Sequence, residues 1–194
     1  MSRWISALVF FATTIGAWAV PGKIDPSLMG PAVLSPVVRA SYLHQMNPQI
    51  DFTRALNLAL LYDEEGSAEG VSPDWAFAQM LLETSYLRFG GQVSPGQNNF
   101  AGLGAWDGGE PGMHFRSPRL GVRAQIQLLK QYASARPLEG RPVLADRPAV
   151  KKGAAPTVFG LARSWASDPD YGNKLVAMMT RMLTYADTRT SPTP

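Results

Sequence analysis

Apolar residues recur at helical spacing in five stretches of the chain. Two of these stretches begin with Ser-Pro, at Ser72-Pro73 and Ser117-Pro118. A serine there can cap the first turn, and a proline fits its opening position. We expect Gly66 to end the first helix. The spacing predicts helices over residues 51–65, 75–87, 118 to near 137, 157–166 and 171–186.

The last predicted helix has a methionine-rich apolar stripe. Flexible apolar side chains of this kind usually fill a protein core, so we interpret the stripe as core rather than as a binding surface. Its members are Leu175, Met178, Met179, Met182 and Leu183.

Two regions interrupt the helical pattern. Residues 20–50 are rich in proline, which predicts an extended arm with one helical turn near residues 40–45. That arm is either a linker or a segment packed on the domain. Residues 88–117 are rich in glycine, which predicts loops with a short hairpin. The expected fold class is therefore α+β and predominantly helical, with a small glycine-rich β lobe.

The chain ends predict further segments on either side of a domain at residues 51–187. Residues 1–19 have the pattern of a secretory signal, with Arg3, an apolar run and the cleavage-like Ala17-Trp18-Ala19. The rival interpretation is a membrane anchor, but the run is shorter than the about 20 residues that a spanning helix needs. We expect export to the periplasm or the extracellular space, without stable membrane insertion after cleavage. The polar residues 188–194 predict a disordered tail.

The amino-acid composition excludes several kinds of functional site. The chain has no cysteine, which excludes disulfides, thiol nucleophiles and cysteine-ligated zinc. His44 and His114 do not form a metal-binding motif such as HExxH. The net charge of +3 suits contact with an anionic polymer such as a cell wall, and no basic run indicates nucleic acid. We predict no metal and no cofactor.

Glu83 is the strongest candidate for chemistry. It ends an otherwise apolar helical stretch and is followed by the polar loop 98–103. A carboxyl group between apolar packing and a polar cleft tends to have a raised pKa, which suits a general acid at neutral pH. The negative end of the helix dipole favours the protonated form as well. The alternative is a glutamate that only caps the helix or forms a surface ion pair.

Four short segments resemble motifs of one enzyme family. They are residues 78–85, 98–104, 115–122 and 165–171. In this order they are similar to the motifs of the glucosaminidase family, the bacterial β-N-acetylglucosaminidases of glycoside hydrolase family 73. This family is related to mannosyl-glycoprotein endo-β-N-acetylglucosaminidase. The resemblance spans about residues 52–186.

The resemblance implies a lysozyme-like fold and hydrolysis of the glycan strands of peptidoglycan. The expected activity is that of an endo-β-N-acetylglucosaminidase, which cuts the β-1,4 bond after N-acetylglucosamine. Glu83 aligns with the catalytic acid of the family. Two alternatives stay open: a lytic transglycosylase or muramidase on the same fold, and a non-catalytic module that binds cell-wall glycan.

The family places a second carboxylate in the small lobe. The matching interval of this chain contains Asp107 and Glu110, of which we favour Glu110. Either carboxylate could activate a water molecule in an inverting mechanism if it lay roughly 6.5–9.5 Å from the acid. Both could equally be exposed loop acids. In a third mechanism, the acetamido group of the substrate attacks and no second acid is needed.

Further residues are candidates for substrate binding. Asn98 and Asn99 could bind an N-acetyl group or fix a turn; we favour the turn for one of them and leave the role of the other open. Tyr171 could line the cleft or belong to the core with one satisfied hydroxyl. Aromatic rings that could stack on sugars, or pack in the core, are Phe100, Trp106 and Trp165.

The chain departs from the family pattern at two places. Trp165 stands where the family has a tyrosine, and Gly104-Ala105 stands where it has a lysine. Both differences predict altered contacts with the substrate, and neither removes the acid.

Overall fold

A computed structural model describes residues 24–105, 111–144, 150–162 and 164–190. These residues form five α-helices, so the prediction of a predominantly helical protein is confirmed. The predicted signal at residues 1–19 lies outside the described residues. The helices are α1 (Pro36–Met46), α2 (Phe52–Glu69), α3 (Pro73–Glu83), α4 (Pro118–Ala133) and α5 (Tyr171–Thr190), and two short 3₁₀ turns lie at Pro95–Gln97 and Val158–Leu161.

Helix α3 is the central element. Ser72 caps it by accepting a hydrogen bond from the backbone of Trp75, and Pro73 occupies the first turn, as the sequence predicted. Every residue from Pro73 to Leu81 is buried. Helices α2 and α5 pack on it, and the methionine-rich stripe of α5 contributes Met178, Met179 and Met182 to the core.

Several predicted helix ends are wrong. Helix α2 continues through Gly66 to Glu69 and ends at Gly70, whose φ of 71° is left-handed. Gly66 permits close packing instead, because a Cβ there would lie 2.8 Å from the carbonyl oxygen of Val71. The segment predicted as a helix over 157–166 forms the short 3₁₀ turn Val158–Leu161 followed by turns. Helix α5 includes residues 188–190 of the predicted tail, and residues 191–194 lie outside the described part.

The proline-rich arm is more ordered than its composition predicted. It contains the 11-residue helix α1, capped by the side chain of Ser35, where the sequence indicated a single turn. Leu28, Leu34 and Leu43 of this region are buried in the main core. The described part of the arm, residues 24–50, therefore packs on the domain. Of its prolines, Pro36 opens α1, and Pro26, Pro31 and Pro48 lie outside regular structure.

A buried ion pair joins the arm to the central helix. Asp74 Oδ1 lies 2.6 Å from Arg39 Nη1, and both side chains are fully buried. The other carboxylate oxygen of Asp74 accepts a backbone hydrogen bond of 3.2 Å from Leu34. The guanidinium of Arg39 also contacts Asp63 on α2. The carboxylate of Asp74 thus connects α3 with α1 and with the segment before α1. Its partner Arg39 extends this network to α2.

The β part of the predicted fold class is not seen in the described part of the chain. Residues 88–105 and 111–117 form turns and the 3₁₀ turn Pro95–Gln97, without a strand. Isolated β-bridges pair Ser27 with Thr157, Met29 with Val71, and Ala162 with Ala166. None of the helices in the described ranges combines the length and hydrophobicity that crossing a membrane requires.

We predict that Asp74→Ala strongly destabilises the fold. The substitution removes one of the two carboxylate partners of a fully buried guanidinium, the other being Asp63, and leaves two backbone donors without their acceptor. Breaking a buried pair in this way costs about 3–5 kcal/mol. Urea denaturation at neutral pH measures the loss. The control is Glu64→Ala, which removes a surface ion pair to Arg119 and should change the free energy of unfolding by about 1 kcal/mol or less. Equal effects of the two substitutions would contradict the prediction.

Candidate active site

Glu83 is the last residue of α3 because the chain adopts left-handed angles from Ser85 onward, one residue beyond the C-cap Thr84. Ser85, Tyr86 and Leu87 have φ values of 49°, 59° and 60°, a region that residues other than glycine rarely adopt. The side chain of Thr84 holds this turn by accepting a 2.9 Å hydrogen bond from the backbone of Leu87. The helix predicted to reach Leu87 therefore ends at Glu83, and its carboxyl projects beyond the packed part of α3.

The loop opposite Glu83 is organised by the two predicted asparagines. Asn99 is fully buried and donates to the carbonyl oxygens of Leu103 at 2.8 Å and Met113 at 3.1 Å. Its own side-chain oxygen accepts from the backbone of Leu103 at 2.9 Å. Asn98 has a left-handed φ of 51° and donates to the carbonyl oxygen of Phe115 at 2.9 Å. The contacts of both side chains are those of turn-forming residues, the role favoured for one of them from the sequence.

A cleft of about 340 Å³ lies between this loop and the turn after α3. Glu83 is the only carboxylate among the described residues that line it. The lining consists of Glu83, Thr84, Ser85, Phe89, Gly90, Gly91, Gln92, Val93, Asn99, Gly102 and Ala105.

The two carboxyl oxygens of Glu83 have different surroundings. Oε1 accepts a short hydrogen bond from the hydroxyl of Tyr171 and a 3.2 Å bond from the indole N–H of Trp165. Oε2 lies beside Gly102, where an added Cβ would stand 3.9 Å away. Oε2 accepts no hydrogen bond from residues of the described ranges. Two donors therefore hold one oxygen, and the other faces the cleft.

The surroundings of Glu83 raise the pKa of its carboxyl group. Removal from bulk water by the surrounding protein is the main cause, and the hydrogen bonds from Tyr171 and Trp165 offset it in part. The side chain still has access to solvent through the cleft. Burial and the nearby Glu83 carboxyl raise the pKa of Tyr171 well above its usual value, so its hydroxyl keeps its proton and donates. A carboxyl group with a raised pKa keeps its proton to a higher pH than a free glutamate does, and Oε2 can release that proton into the cleft.

The remaining predicted site residues fall into three groups. Phe100 is buried in the main core, away from the cleft lining. Tyr171 is also a core residue, but its hydroxyl reaches Glu83. Trp165 is half-buried, with its ring 5.8 Å from that of Tyr132, centroid to centroid. The candidates Trp106, Asp107 and Glu110 lie outside the described residues.

Two features of the site were not predicted from the sequence, namely Gln79 and the donor role of Trp165. Gln79 lies one helical turn before Glu83 and donates a 3.0 Å hydrogen bond to the Tyr171 hydroxyl. The available signal was a lone amide in an apolar helix, on the same face as Glu83. In the part of the chain that the structure describes, no group of three or more His, Asp or Glu side chains is arranged to hold a metal ion.

Comparison with known proteins identifies related sequences. The Glucosaminidase family, described as mannosyl-glycoprotein endo-beta-N-acetylglucosaminidase, matches residues 59–184. An uncharacterized protein of Borreliella burgdorferi is 39% identical over 144 residues, which cover 74% of this chain and 71% of that relative. No solved structure matches the chain. The family match includes Glu83, Trp165 and Tyr171.

We predict that Gly121→Ala displaces the loop that faces Glu83. Gly121 lies in the first turn of α4, and a Cβ there would stand 1.7 Å from the carbonyl oxygen of Asn98. Relieving such overlap typically costs 1–3 kcal/mol, so the free energy of unfolding should fall by about that amount. Chemical denaturation measures it. Gly96→Ala is the control, since nothing lies within 4 Å of an added Cβ there. Unchanged stability in Gly121→Ala would show that the loop does not rest on α4 as described.

We predict that Glu83→Gln raises the melting temperature relative to the wild type, and that this increase is largest at neutral pH. A pKa that is higher in the folded than in the unfolded state stabilises the fold at low pH, and this contribution is lost as the pH rises through the folded pKa. Glutamine has no charge to desolvate and keeps an oxygen for Tyr171 and Trp165. Thermal unfolding between pH 4 and pH 7 should show the melting-temperature difference, variant minus wild type, growing with pH. A difference that shrinks with pH would contradict the raised pKa.

Proposed function

The chain belongs to the glucosaminidase family, and on this premise we propose that it is an exported hydrolase of peptidoglycan glycan strands. The single observation that carries the proposal is the Glu83 carboxyl, which has a raised pKa and one oxygen facing a cleft. Membership of the family makes the chain a glycoside hydrolase. We further propose that the substrate is peptidoglycan, that the bond cleaved is the β-1,4 bond after N-acetylglucosamine, and that Glu83 is the acid.

Glu83 is the general acid in this proposal. Its Oε2 gives a proton to the glycosidic oxygen while the bond from that oxygen to the anomeric carbon breaks. The leaving sugar departs with a hydroxyl, and positive charge develops on the ring that stays in the cleft. The two donors on Oε1 then stabilise the carboxylate that remains, because Tyr171 and Trp165 both direct a proton at it.

The group that completes the reaction is one of the three named from the sequence. Asp107 or Glu110 activates water, or the acetamido group of the substrate attacks the anomeric carbon itself. A measurement of product stereochemistry separates these routes, because direct attack by water inverts the anomeric centre and acetamido participation retains it.

The proposed bond is the β-1,4 bond after N-acetylglucosamine, and the proposed location is the periplasm or the extracellular space. Peptidoglycan lies outside the cytoplasmic membrane, so a hydrolase of it must be exported. The signal-like residues 1–19 support this location.

Trp165, which replaces the tyrosine of the family motif, supports catalysis here through its hydrogen bond to Glu83.

Digestion of purified peptidoglycan tests the proposal. We expect the protein to release fragments with reducing N-acetylglucosamine ends, detected by mass spectrometry, and expect Glu83→Gln to be slower by about 10²–10⁴-fold. Glu64→Gln, a change of an exposed glutamate on α2, is the matched control and should retain full activity. Anhydromuramyl ends would replace the proposal with a lytic transglycosylase. Retained binding of peptidoglycan without any cleavage would replace it with a glycan-binding module.

A further inference from the structure

A chain of four buried side chains lies behind Glu83 and connects four elements of the fold. The Tyr62 hydroxyl of α2 donates to Oε1 of Gln125 on α4 at 2.5 Å. Nε2 of Gln125 donates to Oε1 of Gln79 on α3 at 2.8 Å. Nε2 of Gln79 donates to the Tyr171 hydroxyl of α5 at 3.0 Å, and that hydroxyl donates to Oε1 of Glu83. We call this set of residues the Tyr62–Glu83 relay.

Every donor in the relay points toward Glu83, and a backbone carbonyl fixes this direction. Nε2 of Gln125 also donates to the carbonyl oxygen of Ala76 at 3.0 Å. A carbonyl oxygen can only accept, so the amide of Gln125 cannot flip without bringing two oxygens together. Its N–H₂ group therefore also faces Gln79, which must present its oxygen to Gln125 and its nitrogen to Tyr171.

The direction of the relay leaves the Tyr171 hydroxyl one role. A tyrosine hydroxyl has a single proton, and its oxygen already accepts from Gln79. The proton must therefore point to Oε1 of Glu83. The reverse arrangement would leave a buried N–H or carbonyl oxygen without a partner, which costs about 1–3 kcal/mol per group. All four side chains of the relay before Glu83 are buried, so water does not replace a lost partner there.

We propose that Gln79 and Gln125 are positioning residues that hold Tyr171 as a donor to Oε1 of Glu83 and so keep the acidic proton on Oε2. This inference rests on the proposed function, in which the proton on Oε2 is transferred to the glycosidic oxygen of the substrate. Neither glutamine lines the cleft, so both act through Tyr171 rather than on the substrate. With Oε1 occupied by two donors, the proton resides on the oxygen that faces Gly102 and the cleft.

The test is a carboxyl titration of Glu83 by NMR, in protein labelled at the glutamate carboxyl carbons. The Glu83→Gln spectrum assigns the resonance, and Tyr171→Phe shows the effect of losing the relay's final donor. A donor to the carboxylate lowers its pKa, so Tyr171→Phe should shift the Glu83 pKa upward. We expect Gln79→Met and Gln125→Met to shift it upward as well, because each weakens or redirects the Tyr171 donor.

Gln127→Met is the matched control. Gln127 lies on the same helix as Gln125 and is also buried, but it bonds Glu69 and the 141–143 segment instead of the relay. It should leave the Glu83 titration unchanged. An unshifted Glu83 pKa in folded Gln79→Met and Gln125→Met would overturn the inference. So would an equal shift in Gln127→Met. Two relay variants are used so that one remains if the other fails to fold.

Kinetics on peptidoglycan give a second readout. Gln79→Met should lower kcat several-fold and shift the pH dependence of kcat to higher pH. KM should stay unchanged because Gln79 does not touch the substrate. A change in KM alone would count against a positioning role. The titration does not depend on turnover, so the two claims can fail separately. A wild type that does not cleave peptidoglycan overturns the proposed function, whereas an active wild type with unshifted variants overturns the relay.

Discussion

The structure depends on the need to satisfy the polar side chains of a helix that is buried for nearly its whole length. Helix α3 carries Asp74 and Gln79 in its buried part and Glu83 at its solvent-exposed end, and buried polar groups are costly unless they are hydrogen-bonded. Asp74 is satisfied by the arm and by Arg39 of α1, and Gln79 by α4 and α5. Only Oε1 of Glu83 accepts such bonds, from Tyr171 and Trp165. The elements that pack on α3 are thus held by hydrogen bonds to its polar side chains, of which Asp74 and Gln79 are buried and Glu83 reaches solvent.

Glu83 differs from Asp74 and Gln79 because protein donors bond only one of its two carboxyl oxygens. The ion pair of Asp74 is closed and fully buried, whereas Glu83 keeps one oxygen toward a cleft. Burial raises the pKa of Glu83 more than Tyr171 and Trp165 lower it. The protein therefore carries a carboxyl that opposes folding in its charged form. An acid of this kind is useful for catalysis because it retains a proton at a pH where an exposed glutamate has lost it.

Much of the fold could be predicted from the sequence, because local patterns determine helix formation and capping. The Ser-Pro starts of α3 and α4 and the core stripe of α5 are examples. The errors arose where packing overrides a local preference. Gly66 lies inside α2 because the chain at Val71 approaches it closely, and the turn after Glu83 adopts left-handed angles at residues without a glycine. Neither effect can be predicted from the amino-acid composition or from the spacing of apolar residues.

The sequence by itself determined the helical character of the protein, its family, and Glu83 as the residue to examine. It could not determine the partners of that residue. Glu83 and Tyr171 are 88 positions apart, and Glu83 and Trp165 are 82 positions apart. Only the packing of α5 and the preceding turn against α3 decided that both donors meet one carboxyl oxygen. Asn98 and Asn99 likewise form turns because the loop folds around them. Local patterns specify which residues form each element, whereas the direction of a hydrogen bond between distant elements exists only once they are packed.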